Sequence, residues 1–259
     1  MTKIVSVHSF RGGTGKSNLT ANLATLLALD GYRVGVIDTD IQSPGIHILF
    51  GLEEDHIHKT LNDYLRDSSQ CQIKDTAYDC TEGISAALAG DQQCAGSMFL
   101  IPSSIKTDDI VDILSEGYDV DLLSDGLRQL NEDLNLDYLM IDTHPGLNEE
   151  TLISIGLSDV AVIILRPDHQ DYQGTAVTVE VAKELDVEKM FLVVNKVLPE
   201  FDFDALKEQL RQTYNAEVAT ILPMCHEIML LASEKIFCLE YPDHDFTENL
   251  HKILDTIKQ

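Results

Sequence analysis

The sequence predicts an α/β fold, a mostly parallel sheet flanked by helices on both faces, in one domain over residues 1–259. Three observations carry this. Short apolar runs, β-branched in part, alternate with amphipathic stretches, and such alternation builds βαβ units with right-handed crossovers. A glycine-rich turn separates the first strand from the first helix. No linker rich in proline, glycine or serine divides the 259 residues, a length that buries a full core without disulfide or metal staples.

Lys3–Val7 is the first strand candidate, bounded by the turn Arg11–Gly15. Ser17–Leu29 reads as a helix with Leu19, Leu23, Leu26 and Leu27 on one face, and Gly31 stands just past its end. Arg33–Ile37 is the next strand, ending in Asp38 and Asp40. Thr60 caps a short helix over Leu61–Leu65. Ser68–Gly96 is rich in polar residues and reads as loop, with a short strand near Ile84–Leu88. Met98–Ile101 is a buried strand stopped by Pro102, and Asp119–Leu134 is helical. Further strands are expected at Tyr138–Ile141, Val160–Leu165, Phe191–Val194 and Val218–Leu222. Helices are expected at Glu149–Ile155, Gly174–Leu185, Asp204–Tyr214, Met229–Lys235 and Phe246–Ile257.

Hydrophobic residues at 44% and charged residues at 24% exclude disordered, collagen-like and coiled-coil classes. With 18 Lys+Arg against 44 Asp+Glu, the formal net charge is −26. That field repels polyanions at long range, so contact with nucleic acid would need a local cluster such as Lys207 with Arg211, Lys252 or Lys258. The five cysteines are odd in number and lack CxxC spacing, which argues against a disulfide framework or zinc ribbon. The N-terminus shows no basic-then-apolar signal pattern, and no apolar run approaches the ~18 residues of a spanning helix. The expected compartment is the cytoplasm, with reduced thiols.

The strongest motif is Phe10-Arg11-Gly12-Gly13-Thr14-Gly15-Lys16-Ser17, between a strand and a helix. Glycines let successive backbone N–H groups point inward at phosphate oxygens, and the helix N-terminus adds partial positive charge. Lys16 can reach the β- and γ-phosphates, and the Ser17 hydroxyl can ligate Mg²⁺. The ordinary Walker A pattern needs glycine where this chain has Phe10. With its paired Gly12–Gly13, the loop instead resembles the deviant Walker A of the ParA/MinD family of ATPases, KGGxGK followed by Ser or Thr. Val34–Asp40 is similar to that family's second strand with its two aspartates. Tyr138–Gly146 resembles its Walker B strand and second switch, with Asp142 at the strand end. Val193–Lys196 resembles the strand end that reads adenine, and Leu222-Pro223 its C-terminal pattern. Residues 45–135 match poorly.

The resemblance implies a P-loop NTPase fold and slow hydrolysis of ATP with Mg²⁺. It assigns nucleotide contacts to Gly12, Gly13, Thr14, Gly15, Lys16, Ser17, Asn18, Asn195, Lys196 and Pro223, and the metal to Ser17 and Asp142. Asp40 would orient the attacking water, with Asp38 beside Lys16 and the metal. ATP would close a homodimer, the dimer would bind a surface, and a cargo adaptor protein would stimulate hydrolysis and release it. Two departures stand out. Arg11 replaces the family's usual lysine, which crosses to the partner's ATP, and a planar guanidinium fork is not a point ammonium. The carboxysome-positioning branch also lacks that lysine, which implies carboxysomes as cargo. His144 replaces a common proline and reads as a switch-loop residue with no catalytic role. ParA-like members bind DNA without sequence preference, which implies a nucleoid-associated protein. MinD-like members bind membranes through a basic C-terminal helix. Here Asp245, Glu248 and Asp255 offset Lys252 and Lys258, so membrane binding is not expected. A biosynthetic ligase resembling dethiobiotin synthetase is the remaining enzyme alternative.

Overall fold

The computed structural model describes residues 2–259. In chain order the elements are β1 (Lys3–His8), α1 (Lys16–Leu29), β2 (Arg33–Asp38), α2 (Ile46–Leu49), α3 (Leu61–Arg66), β3 (Tyr78–Asp79), α4 (Thr81–Ala87) and β4 (Ser97–Ile101). They continue with α5 (Thr107–Glu116), α6 (Val120–Leu134), β5 (Tyr138–Asp142), α7 (Glu149–Gly156), β6 (Val160–Leu165), α8 (His169–Glu184) and β7 (Lys189–Val197). The chain finishes with α9 (Phe203–Tyr214), β8 (Glu217–Pro223), α10 (His226–Leu230), α11 (Phe237–Glu240) and α12 (Asp245–Lys258).

The eight strands form one sheet in the order β3-β4-β2-β5-β1-β6-β7-β8. Every pairing is parallel except the short edge contact of β3 with β4. Side chains alternate across a strand, so neighbours in sequence feed opposite layers. Tyr138 and Met140 of β5 join the core beneath α1 and α12, while Leu139 and Ile141 join the core beneath α3 and α6. A third core, on Ile163, Leu165, Leu192 and Val194, lies beneath α8 and α9. The expected α/β layering is therefore what the chain adopts.

Three local expectations fail. Ile84 lies in α4, not in a strand; Ile84 alone of that helix is buried, too little for a helical period to show. Met229–Lys235 is not a helix: α10 stops at Leu230, and Ala232 and Ser233 take positive φ. The helix expected from Gly174 begins at His169, where the Asp168 carboxylate accepts from the N–H groups of Gln170 and Asp171. The α5 helix has no counterpart in the sequence reading. The short α3 is capped as expected, Thr60 and Asp63 forming a capping box. The apolar stripe of α12 is turned into the core, with Leu250, Ile253 and Ile257 fully buried.

Candidate functional site

The loop between β1 and α1 owes its shape to two glycines in the left-handed region, Gly13 (φ 76°) and Gly15 (φ 102°). There a side chain costs about 1–2 kcal/mol of backbone strain. Space closes the second position too, since a Cβ on Gly15 would stand 2.7 Å from Asn195 Nδ2. The conformation delivers Lys16 at the first turn of α1, its side chain only 7% exposed. No carboxylate among the described residues pairs with it. The buried Thr14 hydroxyl also has no partner among the described residues. A buried cation and an orphaned hydroxyl at a helix N-terminus suit an anionic ligand.

Phe10 accounts for the lost glycine of the ordinary motif. Its ring packs on Gly174 of α8, where any Cβ would overlap Phe10 Cγ and Cδ1. We expect Gly174→Ala to expel the Phe10 ring and destabilise the protein by about 1–3 kcal/mol, measured by urea unfolding. An unchanged midpoint would show that this packing does not hold the loop.

Three strand ends meet this loop. Asp38 and Asp142 end β2 and β5 at the same register, side by side and buried. The backbone ties the two loops together, because Thr39 donates from N–H (2.9 Å) and Oγ1 (3.0 Å) to the Asp142 carbonyl. Burial raises the pKa of Asp142; the Lys16 cation and the hydroxyls of Ser17 and Thr20 oppose it. Burial raises Asp38 as well, and the Asp142 charge adds to it. Both carboxyl groups are thus held toward the neutral form while no further cation faces them, and with the Ser17 hydroxyl they offer the hard oxygen donors that suit Mg²⁺. The site fits that ion.

Both Asp38 oxygens are held, by the N–H groups of Asp40 (3.0 Å) and Gly45 (3.2 Å). Asp40 is more open, and its Oδ1 accepts from the Ser43 N–H (3.1 Å). That same oxygen lies 2.7 Å from His144 Nδ1, a contact the sequence reading did not anticipate. His8 was also missed. Its Nδ1 donates to Thr143 Oγ1 (2.8 Å), whose own hydroxyl donates to the Val7 carbonyl (3.0 Å). The bare Nε2 is buried without a partner among the described residues. Burial, then Lys16 and His144, hold the His8 pKa down at about 3, so the ring stays neutral.

Asn195 and Lys196 reach the loop from the end of β7. Asn195 Nδ2 donates to the Thr14 carbonyl (2.8 Å) and Lys196 Nζ to the Gly13 carbonyl (2.8 Å). Both residues, with Asn18, Leu222, Pro223 and Met229, also line a cleft of about 340 Å³ beside Gly15. Its apolar wall and amide edges suit a flat heterocycle. Arg11 stands apart from this group: its guanidinium bonds the Gln170 side chain and lies 3.7 Å from Asp171, on the first turn of α8.

A family model described as the CobQ/CobB/MinD/ParA nucleotide binding domain matches residues 5–236. The chain belongs to this family. That gives it a nucleotide binding domain of the MinD/ParA kind. An uncharacterized ATP-binding protein of Methanocaldococcus jannaschii is 28% identical over 197 residues, 76% of this chain and 65% of that protein, just under two thirds of its length. The flagellum site-determining protein of Helicobacter pylori is 26% identical over 220 residues, 85% of this chain and 67% of that one. Among solved structures, the cell division ATPase MinD of Pyrococcus furiosus has a TM-score of 0.81 at 19% identity, covering 100% of this chain and 99% of that chain. Apo McdA of Cyanothece has a TM-score of 0.76 at 18% identity, with 100% of both chains covered. At such identities the likeness is one of fold.

Proposed function

We propose that this protein is a ParA-type switch ATPase that dimerises on ATP, binds DNA without sequence preference and positions a cellular cargo. A cargo adaptor protein stimulates hydrolysis and so releases it. On this reading residues 1–259 act as one ATPase domain. The observation that carries the reading is the meeting of one phosphate loop with the two strand-end carboxylates Asp38 and Asp142 around a buried Lys16. Lys16 and the N–H groups of Gly12–Ser17 stabilise charge on the phosphates. Ser17 and Asp142 would hold Mg²⁺, which when bound would neutralise charge on the phosphate oxygens. Asp40 orients the water; an aspartate is too weak a base to do more than position it. Asn18, Asn195, Lys196 and Pro223 border the place of the base.

Arg11 is folded onto α8, so a contact with the partner's nucleotide requires it to leave Gln170 and Asp171. The carboxysome as cargo is the finest part of the reading, supported by the missing signature lysine and by likeness in fold to McdA.

The binding surface is the part most open to experiment. Among the described residues no helix is long and apolar enough to cross a membrane, and the apolar stripe of α12 faces the core, so attachment through that helix would require it to unpack. The basic candidates for DNA are engaged within the protein. Arg211 chelates Glu208, Lys258 pairs with Asp30 (2.6 Å), Lys207 bonds the Ala219 carbonyl and Lys252 bonds Asn249. DNA binding should therefore be weak in the monomer and depend on dimerisation, which aligns two copies of each patch. It should fall steeply with salt, by a log–log slope of about −0.9 per phosphate contact. Co-sedimentation with plasmid DNA or anionic liposomes, each with ATP and with ADP, tests this. Retention on DNA only with ATP is expected. Retention on liposomes alone would replace the ParA reading by the MinD-like one, and equal retention in ATP and ADP would remove the switch.

A further inference from the structure

A carboxylate on a loop can rotate, and either oxygen can then face the reaction. In this protein Asp40 is not free to do so. Its Oδ1 accepts from the Ser43 N–H at 3.1 Å and from His144 Nδ1 at 2.7 Å, which occupies both lone-pair directions of that oxygen. Its Oδ2 accepts nothing from the described residues. An ionised carboxylate only accepts, so the proton of this contact sits on Nδ1 of the imidazole. The histidine is itself held in place. It follows Thr143, whose hydroxyl is bonded to Val7 of β1 and to His8, while Thr39 of the Asp40 loop is bonded to Asp142. The loop after β5 is thus anchored on both neighbouring strands just before it presents the ring.

We propose that His144 is a positioning residue for hydrolysis: its Nδ1–H clamps Oδ1 of Asp40, so that Oδ2 is the oxygen presented to the attacking water. The inference rests on the reading of Asp40 as the water-orienting group. It goes beyond that reading by giving His144, 104 residues away in sequence, control over which oxygen works. A clamp of this kind is made by an N–H at one place, so its chemistry can be imitated. An asparagine amide Nδ2 falls near the position of imidazole Nδ1; a glutamine amide falls one bond further out; alanine offers no donor.

The test is a series of His144→Ala, His144→Asn, His144→Gln, Asp40→Ala and the double variant His144→Ala/Asp40→Ala. It measures ATP affinity, single-turnover hydrolysis and, in nucleotide-free protein labelled with ¹⁵N-histidine, the tautomer of the ring. We expect His144→Ala to hydrolyse about ten-fold more slowly, as misplacing a reacting group does, with ATP affinity within about two-fold. His144→Asn should recover most of that loss and His144→Gln little of it. Asp40→Ala should be the slower single variant, and adding His144→Ala should cost nothing further. In the spectrum, His144 should carry its proton on Nδ1 and lose that preference in Asp40→Ala. Normal hydrolysis in His144→Ala with slow hydrolysis in Asp40→Ala overturns the clamp and leaves the role of Asp40 standing. Normal hydrolysis in Asp40→Ala overturns the underlying reading and the clamp with it. Loss of ATP affinity in His144→Ala, or equal rates for the Asn and Gln variants, would make His144 a structural residue and also overturn the clamp.

Discussion

Lys16→Ala is expected to abolish ATP-dependent dimerisation. Lys16 is almost wholly buried at the first turn of α1, and among the described residues it makes no ion pair. Its cation is therefore available to phosphate, and it is the charge that opposes the raised pKa of Asp142. Truncation removes a charge-assisted contact in a desolvated place, and losses of about 2–4 kcal/mol, roughly 30- to 1,000-fold in affinity, are typical of such changes. The backbone N–H groups of the loop remain but lack a full charge. Titration calorimetry should show ATP binding weakened on that scale, and sedimentation velocity should show one monomeric species with ATP and without. A variant that still dimerises with ATP would show that Lys16 does not carry the phosphate contact.

The second large effect is the opposite kind. Asp40→Ala should bind ATP within a few-fold of the parent and hydrolyse it about 10²- to 10³-fold more slowly, so that the protein accumulates as the ATP-bound dimer. The Asp40 side chain hydrogen-bonds to Ser43 and His144 and, among the described residues, to none of the phosphate loop. Removing it leaves the ground-state phosphate contacts in place. Single-turnover hydrolysis beside sedimentation separates the two effects. Normal turnover would displace Asp40 from the mechanism and leave Asp38, buried with one backbone N–H on each oxygen, as the next candidate.

What could be read from the sequence follows physical range. The loop, Lys16 and Ser17 are contiguous, so their chemistry is written in one string of residues. Asp38 and Asp142 are legible because each ends an apolar run, although their common register is a property of β2–β5 pairing. Helices with a broad buried face were also legible: α6 buries Leu123, Leu127 and Leu130 at helical spacing. By contrast α5 buries only Ile113, carries Asp108, Asp109 and Asp112, and leaves Val111 and Leu114 exposed, so its period is hidden by acidic residues. The contact of His144 with Asp40 bridges two loops and has no local signature. Its only trace in the chain is a histidine where a proline is common. The turn of Arg11 onto Asp171 is hidden in the same way, since it depends on β1 and β6 lying side by side.

The order of strands also sets a schedule. Both neighbours of β1 come from far along the chain: Lys3 pairs with Tyr138 and Val5 with Val160. On a ribosome making about 5–20 residues per second, β1 would emerge and wait on the order of ten seconds for its partners. The loop that follows it is translated well before those partners and is among the last segments to acquire its shape. Until then a short apolar strand and a glycine-rich segment are unpaired, and pairings this distant in sequence slow folding. Destabilising changes in β5 or β6 should therefore lower the yield of folded protein made in cells more than equal changes in α9 or β8, which join after the centre of the sheet can close.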